Sequence, residues 1–197
     1  HLAQGIFPLL IGCFALSWNR HALIRWPLGI ATAAVSLSVT LPLQPGWICQ
    51  VSDEGCLETR VAGDVLNATP NDASHLEILE ILAERYSAGG RSFVVTPFWP
   101  GAYAALRRKS PIYEIYALFP RNEPFQELEI EKIKKADPGF VFVIDVAVDG
   151  RESLRFRNTH SLIDRFFREN FQRLSDADLE RLPVNARSPL FQIYKPK

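Results

Sequence analysis

Two stretches of the chain gather residue types that could do chemistry. Thr96-Pro97-Phe98-Trp99-Pro100-Gly101 is a proline-bracketed aromatic turn between an apolar strand and a helix start, with Tyr103 inside that helix. Free N–H groups at such a start can face an anion or a sugar hydroxyl. The competing expectation, which we favour, is a rigid turn whose Phe98 and Trp99 serve packing. The second stretch runs from Asp149 to His160 and is polar and basic. Arg151, Arg155, Arg157 and His160 could together receive phosphate, and beside a membrane they could meet lipid head groups or a lipid-linked diphosphate. The alternative, weighted higher, is a solvated loop in which Arg155 and Arg157 pair with nearby carboxylates. Asp145, at the end of a strand, is a candidate base or ligand, but turn capping is the stronger expectation. The sequence holds no glycine-rich phosphate loop, nucleophile elbow or metal-ligand spacing. We therefore assign no catalytic residue, metal or cofactor.

The elements that would position these residues alternate. Leu57 to Ala62 is a short alternating segment, Asp64 to Asp72 a loop, and Ser74 to Tyr86 a helix with a Ser74/Glu77 capping box and a Gly89-Gly90 stop. Ser92 to Thr96 is a buried strand, Pro100 to Arg108 a helix, and Ile112 to Phe119 an aromatic and β-branched strand. Pro124 to Ala136 is an amphipathic helix with Phe125, Leu128, Ile130 and Ile133 inward. Phe140 to Ile144 is an uninterrupted apolar strand, as expected where both faces are covered. A helix from His160 or Ser161 to Phe171 and a strand at Phe191 to Tyr194 complete the pattern. Alternation of this kind predicts one α/β layered domain from about residue 48 to Lys197, with a mainly parallel sheet and sites at the carboxyl ends of its strands.

Charge is segregated. The chain carries 22 basic and 22 acidic residues, a balance that offers no basic face for nucleic acid. Residues 1 to 48 hold only Arg20 and Arg25 as formal charges. The stretch Trp26 to Leu43 is uncharged and close to the ~20 apolar residues a helix needs to cross a bilayer. A shorter apolar run spans Gly5 to Trp18. Between them, residues 19–25 hold both arginines, which predicts a cytoplasmic turn. Trp18, Trp26 and Trp47 would be interfacial anchors. The expected architecture is therefore one or two N-terminal transmembrane helices, residues 1–47, followed by an extracytoplasmic α/β domain, residues 48–197. Small residues from Gly29 to Ser38 suggest packing against other helices, of this protein or a partner. The alternative is a helical hairpin buried in a soluble protein. His1 in place of Met suggests a fragment or a processed product. Cys49 and Cys56 bracket a turn-forming stretch and are candidates for a disulfide in an oxidising compartment.

The stretch Gly89-Gly-Arg-Ser-Phe-Val-Val-Thr-Pro-Phe-Trp-Pro-Gly-Ala-Tyr-Ala-Ala-Leu-Arg-Arg-Lys-Ser-Pro111, with the later Asp149-Gly-Arg…Leu-Arg-Phe-Arg-Asn-Thr-His160, resembles the C-terminal end of bacterial multi-spanning glycosyltransferases of the dolichyl-phosphate-mannose-protein mannosyltransferase-like (GT-C) superfamily. The resemblance implies sugar transfer from a lipid-linked phosphate donor at the outer face of the inner membrane. The family's catalytic carboxylate lies in an early exterior loop that no position here matches. The chain would then be the non-catalytic end of such an enzyme, with its domain shaping the acceptor site. The other expectation is a membrane-anchored accessory or scaffold subunit of a larger complex.

Overall fold

In a computed structural model of the chain, the residues described are Gly12, Ala15, 22–40, Cys49 and 55–197. The chain divides into two compact units, His1–Cys56 and Leu57–Lys197. In the first, α1 spans Ala22–Thr40 with Pro27 inside it, so Ala22 to Arg25 of the expected turn are helical. Among the described residues no helix is long and apolar enough to cross a membrane, which overturns the transmembrane expectation. The 19 residues of α1 rise about 28 Å at helical pitch, with Arg25 and Pro27 in the first turns and Thr32, Ser36, Ser38 and Thr40 further along. The first apolar run lies outside the described residues apart from Gly12 and Ala15, as do Trp18 and Trp47. Cys49 and Cys56 are joined in a disulfide, with Cα atoms 5.6 Å apart.

The second unit opens with a hairpin, β1 (Leu57–Val61) and β2 (Asp64–Ala68), paired antiparallel. Its two-residue turn, Ala62-Gly63, is left-handed at both positions, φ 50° and 85°, the conformation a tight hairpin demands. Helix α2 (Pro70–Tyr86) starts four residues before the expected Ser74. Thr69 is its N-cap, accepting the Asp72 N–H at 3.3 Å, and Pro70 sits in the first turn, where its missing N–H costs nothing.

A mixed four-stranded sheet follows, in the order β3-β4-β6-β5. Its strands are β3 (Val94–Thr96), β4 (Val141–Ile144), β5 (Phe171–Arg173) and β6 (Phe191–Pro196). Only β3 and β4 run parallel; β6 is antiparallel to both neighbours. The expected mainly parallel sheet is thus corrected. The crossover from β3 through α3 (Gly101–Ala105) and α4 (Glu123–Ala136) brings the chain back to where β3 began. Residues 174–190 make no such crossover, and β6 returns beside β5 in the opposite sense. Residues 112–119, expected as a strand, form irregular turns.

Alternation along β4 builds three layers. Phe140 and Phe142 face Ile78, Leu79 and Leu82 of α2 and Tyr103 of α3. Val141 and Val143 face the opposite way, towards Ile133 of α4, Phe156 of α5 (Phe156–Thr159) and Ile163 and Phe167 of α6 (Ser161–Asn170). A short α7 (Asp176–Leu179), closed by a Ser175–Asp178 capping box, leads towards β6. The buried face of α4 departs from expectation. Gln126, Glu129 and Ile133 are inward, while Leu128 is exposed.

Candidate functional site

The carboxyl ends of β3 and β4 meet the start of β6, and the alternation of the strands sorts their side chains onto two sides. On the α2 side, Trp99 stands edge-on to Phe142, ring centres 6.1 Å apart, and packs near His75 at 6.0 Å. His75 in turn meets Phe191 at 5.3 Å. Burial lowers the His75 pKa, and Asp72 partly offsets this. Phe98 turns away and meets Tyr116 edge-on at 6.3 Å. Tyr103 is buried, stacks on Phe93 and receives the Val95 N–H at 3.0 Å. Burial raises its phenol pKa, outweighing the bond to Val95. Tyr103 is therefore a pin between β3 and α3.

On the other side stands Asp145, 6 % exposed. Its Oδ2 accepts Gln192 Nε2 at 3.2 Å, and Gln192 Oε1 accepts the Tyr194 hydroxyl at 2.8 Å. The other oxygen, Oδ1, is buried with no hydrogen-bond partner. Two guanidinium groups approach the carboxylate, Arg155 at 3.8 Å and Arg157 at 3.6 Å. Arg155 is held firmly: its Nε donates to Glu152 at 2.6 Å and its Nη1 to the Asp145 carbonyl. Arg157 is half-exposed and reaches Glu152 only at 3.5 Å. Hydrogen bonding to Arg155 lowers the Glu152 pKa. Arg151 is exposed and makes no ion pair among the described residues. Deeper along the same side, burial raises the Asp164 pKa against the opposing pull of Arg168, to which it is hydrogen-bonded.

His160 does not join the arginines. It is 1 % exposed, lies flat on Phe156 at 5.1 Å, and points Nε2 at Glu114 Oε2, 3.0 Å away. Its Nδ1 lies 2.9 Å from the Thr159 hydroxyl. Glu114 also receives Arg121 at 2.6 Å. Glu114 and His160 border a cavity of about 10 Å³, with Val94, Thr96, Ala117 and Ile133, room for about one water. Burial would raise the Glu114 pKa, but the bonds from Arg121 and His160 prevail and lower it. Burial lowers the His160 pKa below 6.5 despite Glu114.

The two histidine shifts have one sign. A base whose folded pKa lies below its unfolded value binds fewer protons when folded. Its contribution is complete above pH 6.5 and declines as the pH falls below that. Stability in urea is expected to drop between pH 7 and pH 5, by less in His160→Gln, where the share due to His160 is removed and that of His75 stays. An unchanged slope in the variant would remove His160 as its source.

Among the described residues no group of three or more His, Cys, Asp or Glu could hold a metal ion. The sequence pointed to Asp145, Arg155 and Arg157, which do gather, and to Arg151 and His160, which stand apart from them. It missed Glu152, Gln192, Glu114 and Glu129. Glu152 was legible, lying three residues before Arg155; the others act across 46 or more residues, or from a helix face that looked solvent-exposed. No family model, curated protein or solved structure matches the chain.

Proposed function

We propose that residues 57–197 form a non-catalytic recognition domain of a glycosyltransferase-like protein that works with a lipid-linked sugar phosphate. The observation that carries it is Arg157. This side chain is 48 % exposed beside a strand end, and its two ion-pair contacts among the described residues, Asp145 and Glu152, stand at 3.6 and 3.5 Å. Both contacts are longer than a charge-assisted hydrogen bond, so a phosphate oxygen can replace them. Arg155 fixes the surrounding loop, and the buried Asp145 and half-buried Gln192 supply polar atoms behind it. A binding role, not proton transfer, is supported by the burial of His160 and Tyr103, each engaged with protein partners. The sugar-transfer setting rests on the resemblance of residues 89–111 and 149–160. An extracytoplasmic, oxidising setting is supported by the Cys49–Cys56 disulfide.

Calorimetric titration with farnesyl diphosphate, set against farnesol, tests the proposal. The diphosphate is expected to bind and the alcohol not. Arg157→Ala is expected to weaken binding about tenfold, the loss of one charge-assisted bond, with urea stability unchanged. Equal binding by the variant, or none by the wild type, would sink it.

A further inference from the structure

Residues 107–121, Arg-Arg-Lys-Ser-Pro-Ile-Tyr-Glu-Ile-Tyr-Ala-Leu-Phe-Pro-Arg, turn four large aromatic and aliphatic side chains to water. Tyr113 is 78 %, Ile115 37 %, Tyr116 53 % and Phe119 65 % exposed. The backbone beneath them is nevertheless fastened at several points. Buried Glu129 accepts the N–H groups of Tyr113 and Glu114 at 2.7 and 3.2 Å. The Ala117 N–H donates to the Pro97 carbonyl at 3.0 Å, and the Arg121 N–H to the Thr159 carbonyl at 3.2 Å. Ala117 itself is buried. A loop tethered in this way presents its large side chains outward without the ordering cost a flexible segment would bear on binding.

Its unpaired charge is one cation. Arg107 is paired with Asp64 at 2.6 Å, Arg108 donates to the Ser87 and Arg91 carbonyls, and Arg121 is paired with Glu114, which also meets His160; Lys109 is exposed and makes no ion pair among the described residues. Lys132 lies over the Tyr113 ring at 5.3 Å, its ammonium paired with Glu129 at 2.6 Å. Exposed Tyr and Phe between basic residues match the bilayer interface, where aromatic rings sit at head-group depth and Lys and Arg meet anionic lipid.

We propose that the 109–121 loop is a peripheral docking loop for an anionic lipid surface, with Tyr113, Ile115, Tyr116 and Phe119 entering the interface and Lys109 meeting anionic head groups. It needs no helix across the bilayer and stands whether or not Arg157 binds phosphate.

The test uses the whole chain carrying Cys13→Ser and Phe119→Cys, labelled with an environment-sensitive fluorophore. The vesicles are phosphatidylcholine with or without phosphatidylglycerol. With the anionic lipid, emission is expected to shift to the blue and to be quenched by brominated acyl chains. Because the probe sits in the loop, adhesion through another part of the chain does not imitate this signal. In the unlabelled chain, Tyr113→Ser/Tyr116→Ser/Phe119→Ser is expected to lower vesicle affinity at least about tenfold. Lys109→Gln is expected to lower it about fivefold on anionic vesicles only, and Val184→Ser, exposed on the α2 side, to leave it unchanged. Lys109, Tyr113, Tyr116, Phe119 and Val184 are all exposed, so wild-type urea stability is expected of these unlabelled variants. A probe that stays in water on vesicle-bound protein, failure to bind vesicles, or indifference to phosphatidylglycerol would overturn the proposal. So would a triple variant that binds as wild type does, or one whose main effect is to dissolve a lipid-free dimer, which would make the patch a contact between copies.

Discussion

Gly139→Ala is expected to destabilise the Leu57–Lys197 unit by at least about 3 kcal/mol, at the severe end of what an added methyl does. A Cβ built on Gly139 would lie 1.8 Å from the Tyr86 carbonyl oxygen and 2.6 Å from Ser87 Oγ. The oxygen belongs to the backbone at the end of α2, so no rotamer change relieves the clash. Separation is resisted by a knot of hydrogen bonds. The Gly139 N–H donates to the Ser92 carbonyl at 2.8 Å, Ser87 Oγ donates to the same carbonyl at 3.2 Å, and Arg108 reaches the carbonyls of Ser87 and Arg91. Helix α2 and the entrance to β4 must therefore part or the sheet must shift. Urea denaturation measures the loss, and a variant within about 1 kcal/mol of wild type would mean that this approach is looser than described.

Glu129→Ala is expected to cost about 3–5 kcal/mol, because it strands two N–H groups, each worth about 1–3 kcal/mol when buried without a partner. Glu129 is 1 % exposed, and its Oε1 also holds Lys132 at 2.6 Å. Glu129→Gln keeps an oxygen for Tyr113 and Glu114 and is expected to lose less than half as much. Amide exchange at those two positions should accelerate in the alanine variant before the rest of the sheet responds. Uniform acceleration would show that the carboxylate serves global stability and not this loop.

The same residue marks the limit of what the sequence discloses. Phe140 to Ile144 is legible as a doubly covered strand because every side chain in it is apolar, and α6 because its apolar positions recur with helical period. Glu129 is not legible. On a helix flanked by charged residues it looks solvated, and Leu128 beside it looks inward. Their roles reverse because two distant N–H groups need an acceptor more than the core needs another leucine. The 112–119 segment has strand composition, but the N–H groups of Tyr113 and Glu114 go to that carboxylate instead of a neighbouring strand. Likewise β5 is too short and too exposed to stand out, and the placement of β6 between β4 and β5 depends on pairing across the whole domain. At the site, Asp145 and the two arginines could be picked out by type and proximity. The turning of His160 away from them could not, because it depends on Glu114, 46 residues earlier.

The strand order carries a consequence for how the protein is made. Strand β6, residues 191–196, is the inner neighbour of both β4 and β5. Until residues 191–196 have been translated, β4 has one bare edge and β5 no partner in the sheet. The nascent sheet can close only when that segment clears the exit tunnel, so until then the unit depends on α2 and α4 to shield its half-built interior.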